Sequence, residues 1–262
     1  MKKTKRPLSK ISVFHYLKLV FRSGLFIAAT VLYIIHRIQH TDSFFGGYEN
    51  KPHLLGFIWL VFLIEIILRF FPSSLESMGC QKQFKCNFKP TGCTKVPPYF
   101  QKRIFFVALT WIALNGLIGL LYYLGIIDAG ILLLISLAYS ICDMICILFF
   151  CPFQTWFMKN KCCGSCRIYN WDYLMMFTPC IFIKNPYTFS LLICSAVLFV
   201  FWEVSVFLHP ERFYEPTNQA LSCANCPEKL CHHKKQLQGF LKKNRHLLRL
   251  TERFRDTDSD SK

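Results

Sequence analysis

The chain has 262 residues, of which 53% are hydrophobic and 16% aromatic, and its formal net charge is +16. A water-soluble domain of this size is rarely so apolar, and a nucleic-acid-binding protein, the other strongly basic class, does not need long apolar runs. High apolarity combined with high positive charge is typical of an integral membrane protein with basic loops. We therefore expect a lipid bilayer as the main partner and no nucleic acid.

The N-terminal 22 residues carry seven Lys or Arg and no acidic residue. Lys10, Lys18 and Arg22 recur at multiples of four, which places them on one side of a helix, and apolar residues occupy another side. This pattern predicts a basic amphipathic stretch that lies on the membrane surface before the first span.

Six segments of the chain are predominantly apolar, and all but one have the length of about 20 residues that crosses about 30 Å of hydrocarbon. The predicted spans are residues 19–38, 53–71, 104–124, 130–150, 168–183 and 187–208. The fifth span is short and is interrupted by Pro179, so it either crosses the membrane or re-enters it as a hairpin buried by protein. The sequence thus predicts an all-α polytopic bundle of about six transmembrane helices over residues 1–209, followed by a polar tail over residues 210–262.

The loops between the predicted spans differ in charge. The cationic segments are residues 1–22, 72–103, 151–170 and 210–262, whereas residues 39–52, 125–129 and 184–186 carry little or no net positive charge. The positive-inside rule then puts both termini and the cysteine-rich loops in the cytoplasm, provided that residues 168–183 cross. We expect the cytoplasmic membrane of a prokaryote. Residues 234–255 form a predicted basic amphipathic helix suited to an anionic membrane surface.

The chain has two Cys-x-x-Cys turns, and this topology places both in the cytoplasm. Because disulfides are rare in that reducing compartment, the cysteines of the two turns are candidate metal ligands. One turn lies in the central loop and the other in the tail, and each has further cysteines beside it. The predicted ligands are Cys162, Cys163, Cys166, Cys223, Cys226 and Cys231. Two such turns can supply four thiolates to a structural zinc ion or an iron–sulfur cluster. The alternative is a set of reduced surface thiols or a redox-labile pair.

The remaining cysteines have weaker patterns. Cys80, Cys86 and Cys93 have no standard finger spacing, so a further ligand or a second site is only the minor alternative for them. The cysteines that lie inside apolar runs are predicted to act as small hydrophobic residues; these are Cys142, Cys146, Cys180 and Cys194.

Charged residues inside the predicted spans are costly in hydrocarbon and need partners or water. Glu65 and Arg69 are four residues apart on one helix, which predicts that they pair. Asp143 has no charged neighbour in its own run. Glu65 and Asp143 are therefore also candidates for a polar pathway through the bundle.

Three functions fit these patterns. The first is a redox or scaffold module, with an unknown protein partner, whose cytoplasmic thiolate site passes electrons or organises the loops. The second is a small-solute or proton-coupled transporter that uses Asp143 and Glu65. The third is a membrane enzyme with an interfacial cysteine, although the sequence contains no His-Glu-x-x-His, phosphate-loop or glycine-rich dinucleotide motif.

Overall fold

The computed structural model describes residues 10–38, 52–72, 78–96, 98–99, 101–158 and 166–222. These residues form helices joined by turns, without a β-strand, so the predicted all-α class is confirmed for this part of the chain. The α-helices are α1 (Lys10–Ile38), α2 (Pro52–Leu68), α3 (Met78–Gln81), α4 (Lys102–Tyr123), α5 (Ala129–Leu148), α6 (Asp172–Phe177) and α7 (Pro186–Leu208). The predicted tail helix at residues 234–255 lies outside the described residues.

Four helices in this described part are long and apolar enough to cross a membrane. They are α4, α5, α7 and the apolar stretch Ile11–Ile35 of α1. They match the predicted spans at residues 19–38, 104–124, 130–150 and 187–208, although α1 begins at Lys10 and not at Leu19. The second predicted span corresponds to α2, whose apolar stretch Gly56–Leu68 is shorter. The structure thus agrees with an integral membrane protein.

The fifth predicted span is a series of three short helices and not one α-helix. A 3-10 helix at Arg167–Trp171 leads into α6, and a second 3-10 helix at Thr178–Phe182 follows it. Pro179 lies in the first turn of the last helix, where its missing N–H is tolerated, but the same residue cannot continue α6 as a regular helix. A 3-10 helix rises about 2.0 Å per residue, against about 1.5 Å in an α-helix, so this segment is extended for its length.

One end of this segment contacts α7 and its other end contacts α4. Arg167 hydrogen-bonds to Glu203 near the C-terminal end of α7. At the other end, the Phe182 ring packs against Tyr122 and Gly119 near the C-terminal end of α4. The Phe182 ring occupies the space where a Cβ atom at Gly119 would lie, so glycine is required there for the close approach.

Helix ends are set by local signals that the sequence contains. Asp128 caps the start of α5 by accepting a hydrogen bond from the Ile131 N–H at 2.9 Å. Asn185 caps α7 in the same way through the Tyr187 N–H, and Pro186 takes the first helical position. Gly125 follows α4 with φ of +72°, a left-handed conformation that stops the helix.

The core of the bundle surrounds the fifth segment. Helix α6 packs against both α5 and α7, while α1 packs on α5 and α2 packs on α7. Fully buried apolar side chains from three long helices meet there, including Ile66, Leu132 and Leu198. The Trp202 ring joins this core from α7, near the end where the cysteine-bearing loops begin.

Candidate functional site

Arg22 lies at the centre of a buried charged cluster between α1, α2 and α5. Its guanidinium donates to Glu65 Oε2 at 2.6 Å, to Asp143 Oδ2 at 3.3 Å and to the Ser140 carbonyl at 3.0 Å. The ammonium group of Lys18 lies 3.5 Å from Glu65 Oε1. Both candidate pathway carboxylates are therefore held by one guanidinium, and Asp143 has its charged partner on α1.

The predicted pairing of Glu65 with Arg69 is wrong in this structure, because Arg69 pairs with Asp172 at 2.5 Å. Helix α2 ends at Leu68, so Arg69 lies in the following turn and its side chain is directed towards the fifth segment. There its guanidinium also lies over the rings of Tyr169 and Tyr173, about 5 Å from each centroid. The local i, i+4 rule does not apply beyond a helix end.

The cluster is balanced in charge, which is what burial at membrane depth requires. Around Arg22 lie two cations (Lys18, Arg22) and two carboxylates (Glu65, Asp143), and the adjoining Arg69–Asp172 ion pair completes the cluster with one charge of each sign. The Tyr173 hydroxyl donates a further hydrogen bond to Glu65 at 3.1 Å.

The basic side of α1 therefore faces into the bundle and not the membrane surface, contrary to the expectation from sequence. Lys18 and Arg22 are buried, whereas Leu17 is 62% exposed on the outer side. Lys18 and Arg22 share one side of α1, and this side turns inwards because acidic residues of α2 and α5 attract it. The exposed, apolar Leu17 on the outer side is compatible with a helix that borders lipid.

A second polar group forms at the C-terminal end of α7. Glu203 accepts hydrogen bonds from the Tyr99 hydroxyl at 2.7 Å, from Arg167 at 2.5 Å and from the Trp171 indole at 2.7 Å. Burial and the hydrogen bond to Glu203 raise the pKa of Tyr99 above its ordinary value. Glu203 thus joins the loop before α4, the central loop and α7.

The first cysteine-bearing loop is bound to the start of the tail. The Gln219 N–H donates to the Lys89 carbonyl at 2.8 Å, next to a β-bridge between Pro90 and Asn218. The buried Asn218 side chain also donates to the carbonyl of Lys82 at 3.1 Å. These bonds fix the loop that contains Cys80, Cys86 and Cys93 against the segment that leads to Cys223.

The central loop is anchored to the same place. The Asn170 amide donates to Gln83 Oε1 at 2.7 Å, and Gln83 directly follows Lys82. Asn170 and Asn218, each a few residues from a Cys-x-x-Cys turn, therefore hydrogen-bond to neighbouring residues of one short loop. The segments that lead to the two predicted turns are thus anchored to neighbouring residues, Lys82 and Gln83.

Of the predicted metal ligands, Cys166 alone falls within the described residues. It is buried and packs with Val107, Met158 and Ile168. The others lie outside the described part of the chain, namely Cys162, Cys163, Cys223, Cys226 and Cys231. Among the residues that are described, no three or more His, Cys, Asp or Glu side chains form a group that could hold a metal ion. The zinc or iron–sulfur site stays a prediction.

Cys80 and Cys180 are both core residues. Cys80 is fully buried in the main apolar cluster, and the Cys180 thiol lies 3.4 Å from the Ser136 hydroxyl. Cys86 and Cys93, in contrast, are exposed on the loop. The prediction of small hydrophobic cysteines thus fits Cys180, while the loop places Cys86 and Cys93 where solutes can reach them.

A cavity of about 130 Å³ lies between α4, α5 and the fifth segment. Trp111 and Tyr139 line it with ring centroids 4.8 Å apart, and Asp143 and Asp172 of the charged cluster also line it. Six sulfur-containing side chains complete the wall: Cys142, Cys146, Cys151, Cys166, Met175 and Met176.

The sequence predicts that Cys142 and Cys146 act as small hydrophobic residues. It does not predict that both of them line one cavity. Their i, i+4 spacing, with Tyr139 and Asp143 on the same turns, was a signal that could have drawn attention to it. The cavity itself depends on how α5 meets the fifth segment, which the sequence of α5 alone does not specify.

A second, more polar cleft of about 170 Å³ lies at the loop end of the bundle. Arg103, Arg167, Tyr99 and Gln101 line it together with the first residues after α7. Of the described residues that line these two spaces, Cys166 is the one they share. A thiol thus lies between a membrane-side cavity and a loop-side cleft, an arrangement able to connect chemistry on the two sides.

No protein-family model, curated protein or solved structure matches this chain.

Proposed function

We propose that this protein is a membrane redox or scaffold module whose cysteine-rich cytoplasmic end binds zinc or an iron–sulfur cluster and interacts with a protein partner. The observation that carries the proposal is the common anchoring of the two cysteine segments. Asn170 and Asn218 hydrogen-bond to Gln83 and Lys82, which are neighbours in the chain.

The positions of the turns in the chain support a shared site. Cys166 is four residues before Asn170, and Cys223 is five residues after Asn218. A fully extended chain covers at most about 3.6 Å per residue, so the nearer cysteine of each turn lies within about 20 Å of its anchor. Four thiolates from two such turns are a common donor set for tetrahedral zinc and for iron–sulfur clusters.

The position of Cys166 favours a redox role over a purely structural one. A structural zinc site needs no cavity beside it, whereas Cys166 lines both the membrane-side cavity and the loop-side cleft. An electron carrier needs access on two sides, one for its donor and one for its acceptor.

The metal content and the absorption spectrum of protein purified anaerobically in mild detergent test this proposal. We expect brown protein with iron and acid-labile sulfide for a cluster, or colourless protein with zinc for a structural clamp. Cys163→Ser and Cys226→Ser, one from each turn, should each remove most of the metal. Cys194→Ser, on α7 and away from both turns, is the matched control and should retain it. Metal-free wild-type protein would reject the proposal.

We also propose six crossings with both termini in the cytoplasm. The fifth segment supports this, because its contacts extend from Glu203 near one end of α7 to Tyr122 near one end of α4. Cys86 and Cys93 are exposed and report the side on which their loop lies. A membrane-impermeant maleimide should label them in inverted vesicles and not in intact cells, and labelling in intact cells would contradict this topology.

Transport is the second candidate, because Asp143 lines a cavity at membrane depth. Arg22 holds both Asp143 and Glu65, which favours a structural role for the two carboxylates. Asp143→Asn should therefore leave proton flux into proteoliposomes unchanged. A clear change in flux would favour transport over the redox module.

A further inference from the structure

We propose that the cavity lined by Trp111 and Tyr139 binds the ring of a lipid-soluble quinone. The quinone would be the electron acceptor of the redox module on the membrane side, so this inference rests on the proposed function. The binding itself can be measured on metal-free protein, because helices supply most of the wall and Cys166 is the one described lining residue that belongs to a Cys-x-x-Cys turn.

The size of the cavity fits one six-membered ring. It measures about 130 Å³ and is only partly enclosed, and an apolar protein cavity of about 150 Å³ is known to hold benzene. The ring of a quinone therefore fits inside, while its substituents and its tail extend through the open side. A folded peptide or a nucleotide is too large for this volume. Ligand cavities of this kind are mostly apolar and aromatic, with a few polar groups that orient the ligand.

The exposed residue Cys142 forms one edge of the cavity, and we take this edge as its mouth, which faces lipid in the proposed topology. Cys142 is exposed on α5, a helix long and apolar enough to cross the membrane. A residue exposed at that depth borders acyl chains and not water, so the ligand that enters past it must be soluble in lipid. A free sugar, amino acid or nucleotide does not meet this condition.

The charges around the cavity favour a neutral ligand. Asp143 and Asp172 lie in its wall, and each is already paired with an arginine, at 3.3 Å and 2.5 Å respectively. An anionic ligand such as a fatty acid would meet carboxylates there, whereas a cation would compete with paired guanidinium groups. A quinone is neutral and planar, and its carbonyl oxygens can accept hydrogen bonds from hydroxyl or thiol donors in the wall.

The walls also suit a flat ring. Trp111 and Tyr139 form an aromatic surface on one side, and Met175, Met176 and the cysteines present polarisable sulfur atoms on the others. Sulfur and aromatic groups make favourable contacts with rings at about 5 Å. An acyl chain gains little from such a wall relative to ordinary aliphatic side chains.

Isothermal titration of purified protein with ubiquinone-1 in mild detergent tests this inference. Cys146→Leu adds volume inside the cavity and should weaken binding at least tenfold, whereas Cys194→Leu makes the same change on α7 outside the cavity and should leave binding unchanged. Cys142→Phe, at the exposed mouth, should weaken binding without disturbing the core, and it serves if Cys146→Leu fails to fold.

Three results would overturn the inference. The first is the absence of binding to the wild-type protein. The second is equal binding by the wild type, Cys146→Leu and Cys142→Phe. The third is displacement of ubiquinone-1 by an equal concentration of undecane, an alkyl chain without a ring. The metal content of the same samples separates this inference from the proposed function. Quinone binding by metal-free protein supports the cavity and rejects the thiolate site, and metal without quinone binding does the reverse.

Discussion

The guanidinium of Arg22 lies 2.6 Å from the carboxylate of Glu65 and joins α1 to α2 inside the bundle. Arg22 is 1% exposed and Glu65 is 8% exposed, so neither charge can be satisfied by water if its partner is lost. The same arginine holds Asp143 on α5. Three helices thus depend on one side chain.

Replacement of Arg22 by leucine should destabilise the protein by roughly 3–5 kcal/mol, because it removes the charged partner of Asp143 and leaves Glu65 with Lys18 alone. Thermal unfolding in detergent measures the effect. Arg37→Leu is the matched control: Arg37 is exposed and lies 4.0 Å from Asp128, and a surface pair of this kind contributes roughly 0–1 kcal/mol. Similar losses in the two variants would contradict a central role for Arg22.

Gly119→Ala should destabilise the protein by roughly 1–3 kcal/mol, because the added Cβ overlaps the Phe182 ring and forces the fifth segment away from α4. Gly116→Ala, one turn earlier on the same helix, has no atom within 4 Å of the new Cβ and should be neutral or slightly stabilising. Unfolding temperatures of the two variants make the comparison. The close contact would be disproved by equal stability of Gly119→Ala and the wild type.

Asn218→Ala should release the start of the tail from the cysteine loop. The Asn218 side chain donates to the carbonyls of Lys82 and Arg212, and a buried group left without its partner costs roughly 1–3 kcal/mol. We expect faster trypsin cleavage after residue 222, detected by mass spectrometry. Gln219→Ala, at the exposed neighbouring position, should be cleaved at the wild-type rate. Cleavage of Asn218→Ala at the wild-type rate would contradict the proposed anchoring role of Asn218.

Tyr99 should make stability depend on pH in the alkaline range. Its pKa is raised in the folded protein by burial and by the hydrogen bond to Glu203, so the folded state holds the phenol proton more tightly than the unfolded state does. This contribution is complete below about pH 10, the ordinary pKa of tyrosine, and is lost as the pH rises through the folded pKa.

Tyr99→Phe removes this group, so the stability advantage of the wild type over the variant should shrink above about pH 10. Denaturant unfolding at neutral pH and at a series of alkaline pH values measures the difference. Tyr123→Phe is the control because Tyr123 is 88% exposed. A constant difference between the wild type and Tyr99→Phe across this range would show that the hydrogen bond does not control the titration.

Hydropathy predicted the long helices, because the length of an apolar run is a property of neighbouring residues. Residues 104–124 and 130–150 match α4 and α5 closely, and Asp128 marks the start of α5. Pro179 predicted that the fifth segment is irregular, because proline interrupts a regular helix. Local chemistry was sufficient for these features.

The partners of buried charges were not predictable from local spacing. Glu65 and Arg69 satisfy the i, i+4 rule, but each binds a residue more than 40 positions away in the chain. The choice depends on which helices meet, and it is decided by packing. The sulfur-lined cavity has the same origin, since its wall combines residues of α4, α5 and the fifth segment.

The anchoring of Asn170 and Asn218 to neighbouring residues also affects how a metal ion would bind at the proposed site. Each cysteine turn is tethered by only a few residues to a fixed point, so capture of an ion by one turn presents it to the other at high effective concentration. Little chain entropy is then left to lose on closing the site. Loading should be cooperative, with few half-ligated molecules at any metal concentration.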